Sequence, residues 1–360
     1  MFSTRQLMFG IATFIGGSSL FTVFVTQITF QDSWISALIA LALSLLVVLI
    51  YTALIRKFPG LGLLQMHSVV YGKHLGRAFN LAYTLFCFGF AAVSLRNLGD
   101  FFTGYIMPET PMVVVLSMLA ATCALAANCG ITIVMRNAFL FFIFMVTALL
   151  MNSLMLLPNM HLYNFLPVFR LGLSAYAQGS FVLAAAPFCE IIVFLILLPY
   201  ADRQANVRKS FFWGLLLGAL YLLITFLRDI ATLGTALSYL TEPTYEAIRL
   251  INLMDVFSRL EIVFAFALIT MRVFKMSVLF CAIVRSVEDT VGKTFEKRGL
   301  CVTVIAVITV LCALYFFPTG LTLPEWFRTT GAYFFGVFEM LLPLLTLGLA
   351  SVRRLGIKKS

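Results

Sequence analysis

Long apolar runs separated by short polar segments dominate the chain. A bilayer core needs about 20 apolar residues per helix, and ten runs approach or reach that length. These predicted helices, which we number segments 1 to 10, span residues 6–27, 34–55, 78–104, 112–129, 137–157, 179–200, 211–232, 260–284, 300–317 and 330–352. The pattern predicts an all-α polytopic membrane protein with ten transmembrane helices.

Composition agrees with this pattern. The 360 residues are 62% hydrophobic and only 11% charged, whereas an ordinary soluble domain is about 25% charged. No low-complexity tract or polar linker divides the sequence. We therefore expect a single membrane domain over residues 1–360, with the lipid bilayer as its surroundings.

The distribution of basic residues predicts the orientation. Most of the 25 Lys and Arg residues fall in connections on the same side as the N-terminus, and such an excess marks the cytoplasmic side. Both termini are therefore predicted to be cytoplasmic. A net charge of +10 would suggest nucleic-acid binding in a soluble protein, but here its placement next to anionic lipid explains it, and no nucleic-acid partner is expected.

Candidate metal ligands are scattered. The seven cysteines lie in apolar runs, and His67, His74 and His161 are isolated from one another. None has the spacing of a metal site, so we expect no metal or other cofactor. No nucleophile and base form a recognisable pattern either, which argues against an enzyme.

Two connections contain helical patterns of their own. Residues 60–77 mix apolar side chains with Lys73, His74 and Arg77, as an interfacial helix would. Residues 241–259 place Pro243 at a helix start and continue with apolar residues at helical spacing. This second helix is either an outside lid or a plain surface helix, and the sequence leaves both open.

The number of segments suggests an internal repeat. Because five is odd, a second set of five helices enters the membrane from the opposite side and can repeat the first set upside down. The predicted 5+5 inverted repeat spans about 5–158 and 179–352, and it pairs segment 6 with segment 1. Both contain an interruption, and interruptions at corresponding positions of two halves indicate a transporter binding site.

Segment 1 is interrupted by the sequence GGSS. Gly16 and Gly17 make unwinding cheap and let backbone approach a ligand. Ser18 and Ser19 can then cap the second half-helix and leave amide donors for a carboxylate. The alternative is that the glycines only permit close packing of helices.

Segment 6 is interrupted by Pro187. A proline at the first position of a half-helix, with Glu190 in its first turn, suits a helix start. The alternative is a simple kink. The two interruptions together favour the binding-site interpretation over both alternatives.

Particular runs resemble a known family. The sequence EIIVFLILLPY at 190–200, SRLEIVFAF at 258–266 and the ten-helix pattern are similar to the B subunits of endospore germinant receptors, within the amino acid, polyamine and organocation transporter superfamily. The resemblance implies the 5+5 repeat, a spore inner-membrane location, and receptor A and C subunits as partners.

The same resemblance implies a ligand site between segments 1, 3, 6 and 8. Carried over to this chain, its residues are Gly16, Gly17, Ser18, Ser19, Val93, Asn97, Ala185, Pro187, Phe188 and Glu190. One departure is that segment 6 breaks at AAAPF without a glycine. This departure affects the predicted shape of that side of the pocket.

Charges inside the predicted helices give independent candidates, because each is costly in a bilayer and should face the bundle interior. Arg96 and Asp100, four residues apart, are predicted to pair. Arg228 and Asp229 are expected to snorkel to the interface. The deeper charged residues, which are the functional candidates, are Glu190, Arg272, Lys275 and Glu339.

Arg272 and Lys275 lie three residues apart, on one face of segment 8. In sodium-coupled relatives segments 1 and 8 hold an ion, so a fixed basic side chain here could replace it. An ion pair with Glu190 or Glu339 is the other interpretation, and both can hold together.

Two functions remain open. The family resemblance favours a germinant-sensing subunit that binds a small amino acid and triggers germination with its partners. The architecture alone favours an ion-coupled amino acid transporter, and a fold does not decide a function.

Overall fold

The computed structural model describes residues 1–202, 206–251, 261–292, 298–317, 319 and 322–356, and these residues are nearly all helical. The first nine α-helices are α1 (Thr4–Gly16), α2 (Thr22–Thr29), α3 (Ser33–Lys57), α4 (Leu63–Tyr71), α5 (Lys73–Phe101), α6 (Met112–Asn128), α7 (Ile131–Arg136), α8 (Ala138–Leu156) and α9 (Leu173–Leu183). The remaining eight are α10 (Val193–Ile196), α11 (Val207–Leu233), α12 (Pro243–Arg249), α13 (Glu261–Val291), α14 (Arg298–Phe316), α15 (Thr322–Trp326), α16 (Ala332–Gly336) and α17 (Leu342–Val352).

Eight helical stretches of the described residues are long and apolar enough to cross a membrane, and α6 is apolar but shorter. The chain is therefore a multi-pass membrane protein. One of the eight stretches, Ser19–Lys57, contains both α2 and α3, which meet at a bend near Phe30. The number of stretches is thus not a number of crossings, and the count of ten and the inverted repeat stay predictions.

The central helix α1 packs along α11 at close range. A Cβ atom added to Gly214 would lie 2.7 Å from Ile11 Cβ, and one added to Gly218 would lie 2.7 Å from Ile15 Cβ. Small residues allow such backbone approach where no water is available to drive helix association. On its other sides α1 contacts α8 and α13, and α13 packs against α5 and α6.

Several helix limits differ from the sequence prediction. Segment 10 was predicted to begin at residue 330, but helical structure already begins at Thr322. Arg328, expected outside the membrane helices, lies within this extension and donates to Gln27 Oε1 at 3.2 Å. The hydropathy pattern does not reveal the extension because it contains Pro324 and the charged residues Glu325 and Arg328.

The helix predicted between segments 2 and 3 is present as α4, although residues 73–77 belong to α5 instead. His67 is buried in α4, with its Nδ1 atom 3.1 Å from Asn80 Oδ1. Burial lowers the pKa of His67 to about 4. The imidazole is therefore neutral at physiological pH and has a packing role.

The second extra helix, α12, covers a buried ion pair. Arg228 Nη2 lies 2.7 Å from Asp229 Oδ1, and both residues are buried. Thr244 Oγ1 of α12 donates to Asp229 Oδ2 at 2.5 Å. The prediction that these charges snorkel to the interface is therefore wrong, because α12 shields them. Residues 252–260 of the predicted lid lie outside the described residues.

Candidate functional site

The first helix break lies at Gly17 and Ser18, between α1 and a short 3₁₀ turn at Ser19–Phe21. Gly17 has φ −61° and ψ −11°, and Ser18 has φ −98° and ψ 11°. Neither conformation requires glycine. The predicted interruption is present, but it does not use glycine's conformational freedom.

The glycines at this break serve close packing. A Cβ atom on Gly17 would lie 3.0 Å from the backbone oxygen of Met271 and 3.2 Å from Lys275 Cβ, both in α13. At Gly16 the nearest obstacle is the flexible side chain of Met145. The helix is therefore interrupted where the sequence predicted, but the glycines contribute close packing against α13 rather than backbone freedom, and the approach of a ligand to this break stays a prediction.

The second break lies at Ala186 and Pro187, within a wide turn that links α9 to a 3₁₀ turn at Cys189–Ile192. Ala186 is extended, with φ −143° and ψ 116°. A residue before proline favours this conformation, and proline itself cannot donate the helical hydrogen bond. The proline thus produces an interruption without any glycine.

A buried ion pair connects the two breaks. Lys275 Nζ of α13 lies 2.7 Å from Glu190 Oε2, just after the second break. Ser18 Oγ, at the first break, donates to the same oxygen at 2.7 Å and accepts a hydrogen bond from Lys275 Nζ. All three side chains are buried. One cluster, the Ser18–Glu190–Lys275 cluster, therefore fastens both interrupted helices to α13.

Aromatic rings surround the ammonium group of Lys275. Its Nζ atom lies 5.1 Å from the ring centre of Phe14, 5.3 Å from that of Phe21 and 4.6 Å from that of Phe90. Ring faces attract a cation, and the attraction strengthens when water is excluded. The ammonium group is thus held by Glu190, by Ser18 and by the three rings.

Arg272 lies one helical turn away from Lys275 but has different partners. Its Nη2 atom donates to Asn97 Oδ1 at 2.6 Å, and its Nη1 atom lies 3.5 Å from the Ser94 carbonyl oxygen. The guanidinium carbon is 5.0 Å from the ring centre of Phe21. Lys275, and not Arg272, therefore makes the predicted ion pair with Glu190. The replacement of a coupling ion by a basic side chain stays a prediction.

Glu339 is completely buried, and neither of its carboxyl oxygens has a hydrogen-bond partner among the described residues. Its backbone carbonyl instead accepts from Tyr51 Oη at 2.5 Å, and the same hydroxyl lies 3.3 Å from the Cys189 carbonyl oxygen. Tyr51 was not among the candidates from sequence, because a single tyrosine hydroxyl within an apolar segment forms no recognisable motif.

Most of the remaining predicted ligand residues are buried. Ala185, Phe188 and Val93 are buried, and the Ser19 hydroxyl is buried without a partner among the described residues. The Ser18 amide, predicted to donate to a carboxylate, donates to the Ile15 carbonyl oxygen at 2.9 Å. That donor is therefore occupied in this conformation. Within the described residues, no three potential metal-binding side chains lie together.

A family model described as spore germination protein matches residues 1–320. The chain belongs to this family. Two Bacillus subtilis (strain 168) relatives are similar to it. Spore germination protein KB is 25% identical over 286 residues, covering 78% of this chain and 76% of that protein. Spore germination protein B2 is 24% identical over 229 residues, covering 63% of this chain and 61% of that protein.

Solved structures show the fold. The chain superposes with a TM-score of 0.71 on Mhp1, a nucleobase-cation-symport-1 family transporter in a closed conformation with bromovinylhydantoin bound. That match has 12% identity and covers 98% of this chain and 78% of Mhp1. A Na⁺-coupled sialic acid symporter matches with a TM-score of 0.61 at 11% identity, covering 99% of this chain and 91% of the symporter. The family is that of spore germination proteins, and the fold is the one that these two solved transporters share.

Proposed function

We propose that this protein is the membrane subunit of a spore germinant receptor, located in the spore inner membrane, which binds a small amino acid. Together with partner A and C subunits it triggers germination. Its membership of the spore germination family supports this role. The transporter fold supplies a scaffold in which interrupted helices line a site.

The observation that carries the proposal is the Ser18–Glu190–Lys275 cluster. It holds the breaks of both interrupted helices against α13 through buried polar contacts of 2.7 Å. A ligand acts by stabilising one conformation over another. A bound carboxylate would compete with Glu190 for Lys275, and a bound ammonium group would compete with Lys275 for Glu190. Either competition loosens one helix break from α13, and partner subunits could detect that change.

The proposed ligand lies between the two breaks, α5 and α13. Its carboxylate accepts a hydrogen bond from the backbone amide of Ser19. It also accepts one from the Ser18 amide when that amide no longer donates to the Ile15 carbonyl oxygen. Its side chain points toward Val93 and Phe188. We expect substitutions at these last two positions to change which amino acid is effective, because they would form the apolar wall.

An ion-coupled amino acid transporter is the second candidate, and the solved transporters of the same fold favour it. Lys275 argues against sodium coupling in particular. Its ammonium group already contacts the first break from α13, so a fixed cation occupies a position where a mobile one would bind. A sensor has no need of a coupling ion.

Germination of spores tests the receptor proposal. Spores that lack this chain should lose their response to at least one small amino acid, and a plasmid copy should restore it. Removing either partner subunit should abolish the same response. Germination that is unchanged for every amino acid tested, in spores shown to lack the protein, would reject the receptor role.

A further inference from the structure

A cavity separate from the helix breaks lies at the distal end of the bundle, which we define as the end away from the N-terminus. Its volume is about 660 Å³, within the range of about 300–1,000 Å³ typical of small-molecule sites. The end of α5 contributes Arg96, Asn97, Asp100 and Tyr105, and the segment before α12 contributes Glu242. The Ser18–Glu190–Lys275 cluster does not line this cavity.

Glu242 is the unusual residue of the wall. It is only 8% exposed, and its carboxyl group forms no hydrogen bond or ion pair within the described part of the chain. Glu242 is the N-cap residue of α12, and its backbone carbonyl accepts from the Glu246 amide at 3.1 Å, but its side chain makes no capping hydrogen bond. Thr241 fixes the segment, because its Oγ1 atom lies 2.6 Å from Tyr105 Oη. A buried carboxylate without a partner is costly, so this position favours a cationic ligand.

The floor of the cavity favours the opposite charge. Asn97 lines the cavity, and its Oδ1 atom accepts from Arg272 Nη2 at 2.6 Å. Because Arg272 has only donors, this bond fixes the orientation of the amide and leaves Asn97 Nδ2 to donate elsewhere. Glu190 is bound by Lys275, so among the described carboxylates none forms an ion pair with Arg272. The Asn97 amide is therefore a donor backed by a buried cation that has no ion-pair partner among the described residues.

Arg96 and Asp100 do not alter this balance. Arg96 Nη2 lies 2.9 Å from Asp100 Oδ1, which confirms the predicted pair. Their charges cancel locally, so the cavity retains one unpaired carboxylate on its wall and one cation behind its floor. This arrangement is complementary to a molecule that carries both an ammonium and a carboxylate group.

We propose that the distal cavity is a binding site for zwitterionic amino acids, with the ligand ammonium at Glu242 and the ligand carboxylate at the Asn97 amide. The inference rests on the proposed function for the class of ligand. It adds a site that an amino acid would occupy before reaching the helix breaks. Asn97 thus belongs to the cavity floor, and Arg272 positions it.

The electrostatics of Glu242 add a pH dependence. The residue directly precedes α12, which packs against α11 and α13. Burial raises the pKa of its carboxyl well above its usual range, while Arg272 opposes this effect and Asp100 adds to it. Tyr105 is the other titratable group nearby. An ammonium ligand favours the ionised carboxylate, so binding releases a proton. The affinity for an amino acid should therefore rise as pH rises toward neutrality.

Binding to the full chain in lipid nanodiscs tests the site. Titration calorimetry with glycine, alanine, serine, valine and asparagine identifies the best amino acid, which is then compared with its 2-hydroxy acid. Glu242→Gln should weaken amino acid binding by about tenfold or more, the usual size of a charge-assisted contact. It should also abolish the pH dependence, while binding of the hydroxy acid, which lacks the ammonium group, stays the same.

Glu246→Gln is the matched control. Glu246 lies one turn further along α12 and pairs at 3.2 Å with Arg249, which is itself exposed, so its loss should leave binding unchanged. The inference is overturned if no amino acid binds the wild-type protein. It is equally overturned if Glu242→Gln leaves affinity and pH dependence unchanged, or weakens amino acid and hydroxy acid alike.

Cysteine protection provides a measurement that does not depend on Glu242. Gly104 lines the cavity with no atom within 4 Å of an added Cβ, so Gly104→Cys should fold and react with a charged thiol reagent. The amino acid should slow this reaction but not that of Gly172→Cys, which is exposed outside the cavity. Equal rates with and without the amino acid would overturn the site. The receptor proposal would stand in that case, because it does not depend on this cavity.

Discussion

The two helix breaks differ in how they are made. At the first, the backbone stays close to helical values, and Gly17 allows α13 to approach within 3.0 Å of where a Cβ would lie. At the second, Ala186 is fully extended before Pro187, and no glycine is involved. The first break is thus distinguished by close packing against α13, and the second by an extended backbone before proline.

This difference shows that the two interrupted helices reach the same cluster by different chemistry. Ser18 lies at the first break and Glu190 shortly after the second, and both contact Lys275. The first break therefore depends on its contacts with α13, whereas the second depends on the proline within it. Substitutions should separate these two kinds of dependence.

The largest expected effect is on the cluster that joins the breaks. Removing one partner of a buried ion pair costs about 3–5 kcal/mol, whereas replacing both with apolar residues is close to neutral. Glu190→Leu or Lys275→Met alone should therefore lower the thermal stability of the purified protein strongly, and the double variant should recover most of the loss. Additive losses in the double variant would show that the pair is not coupled.

Glu339→Gln is the control for that experiment. Glu339 is also a buried carboxyl, but neither of its oxygens has a partner among the described residues. Its replacement should change stability by about 1 kcal/mol or less. A loss as large as that of Glu190→Leu would mean that burial alone, rather than the contact with Lys275, explains the effect.

The next effect concerns packing at the first break. Gly17→Leu forces a side chain between α1 and the backbone of α13, and such overpacking costs about 1–3 kcal/mol. We expect the germination response to fall sharply while the protein still accumulates in the membrane. Gly89→Leu is the control, because nothing lies within 4 Å of its added Cβ. A wild-type response of Gly17→Leu at normal protein level would show that the close approach has no functional role.

A smaller effect is expected at the second break. Pro187→Ala restores a donor and lets the backbone adopt helical angles, and proline replacements at compatible positions typically change stability by about 1 kcal/mol. The response should weaken but remain measurable, since Glu190 and Lys275 are still present. Complete loss of the response, equal to that of Gly17→Leu, would remove the proposed difference between the breaks.

The smallest effect is that of sodium. Because the Lys275 ammonium group already contacts the first break, replacing sodium chloride with choline chloride should leave amino acid affinity unchanged. Calorimetry in the two salts measures this directly. An affinity that rises steeply with sodium concentration would show that a mobile ion binds in addition to the lysine.

Much of the fold and part of the site could be predicted from the sequence. The positions of both breaks and the Arg96–Asp100 pair follow from local signals, namely glycine, proline and helical spacing. The sequence nevertheless leaves open whether the glycines supply backbone freedom or close packing, and their contacts show the packing role. That distinction depends on α13, which is more than 250 residues away along the chain.

The partners of charged residues could not be predicted for the same reason. Spacing placed Arg272 and Lys275 on one face but left Glu190 and Glu339 as equal partners, and only the packing of α13 against the second break selects Glu190. Glu242 was missed altogether. Its only signal was an acidic residue before a helix-starting proline, which in an isolated sequence resembles an ordinary helix cap.

The measurement that tests the central claim most directly is retention of a labelled amino acid by liposomes that contain this chain alone. A sensor binds its ligand without moving it across the membrane. We expect saturable binding in proportion to the protein, with no accumulation when a proton or sodium gradient is imposed. Gradient-driven accumulation inside the liposomes, abolished by an ionophore, would contradict the sensor role and establish a transporter.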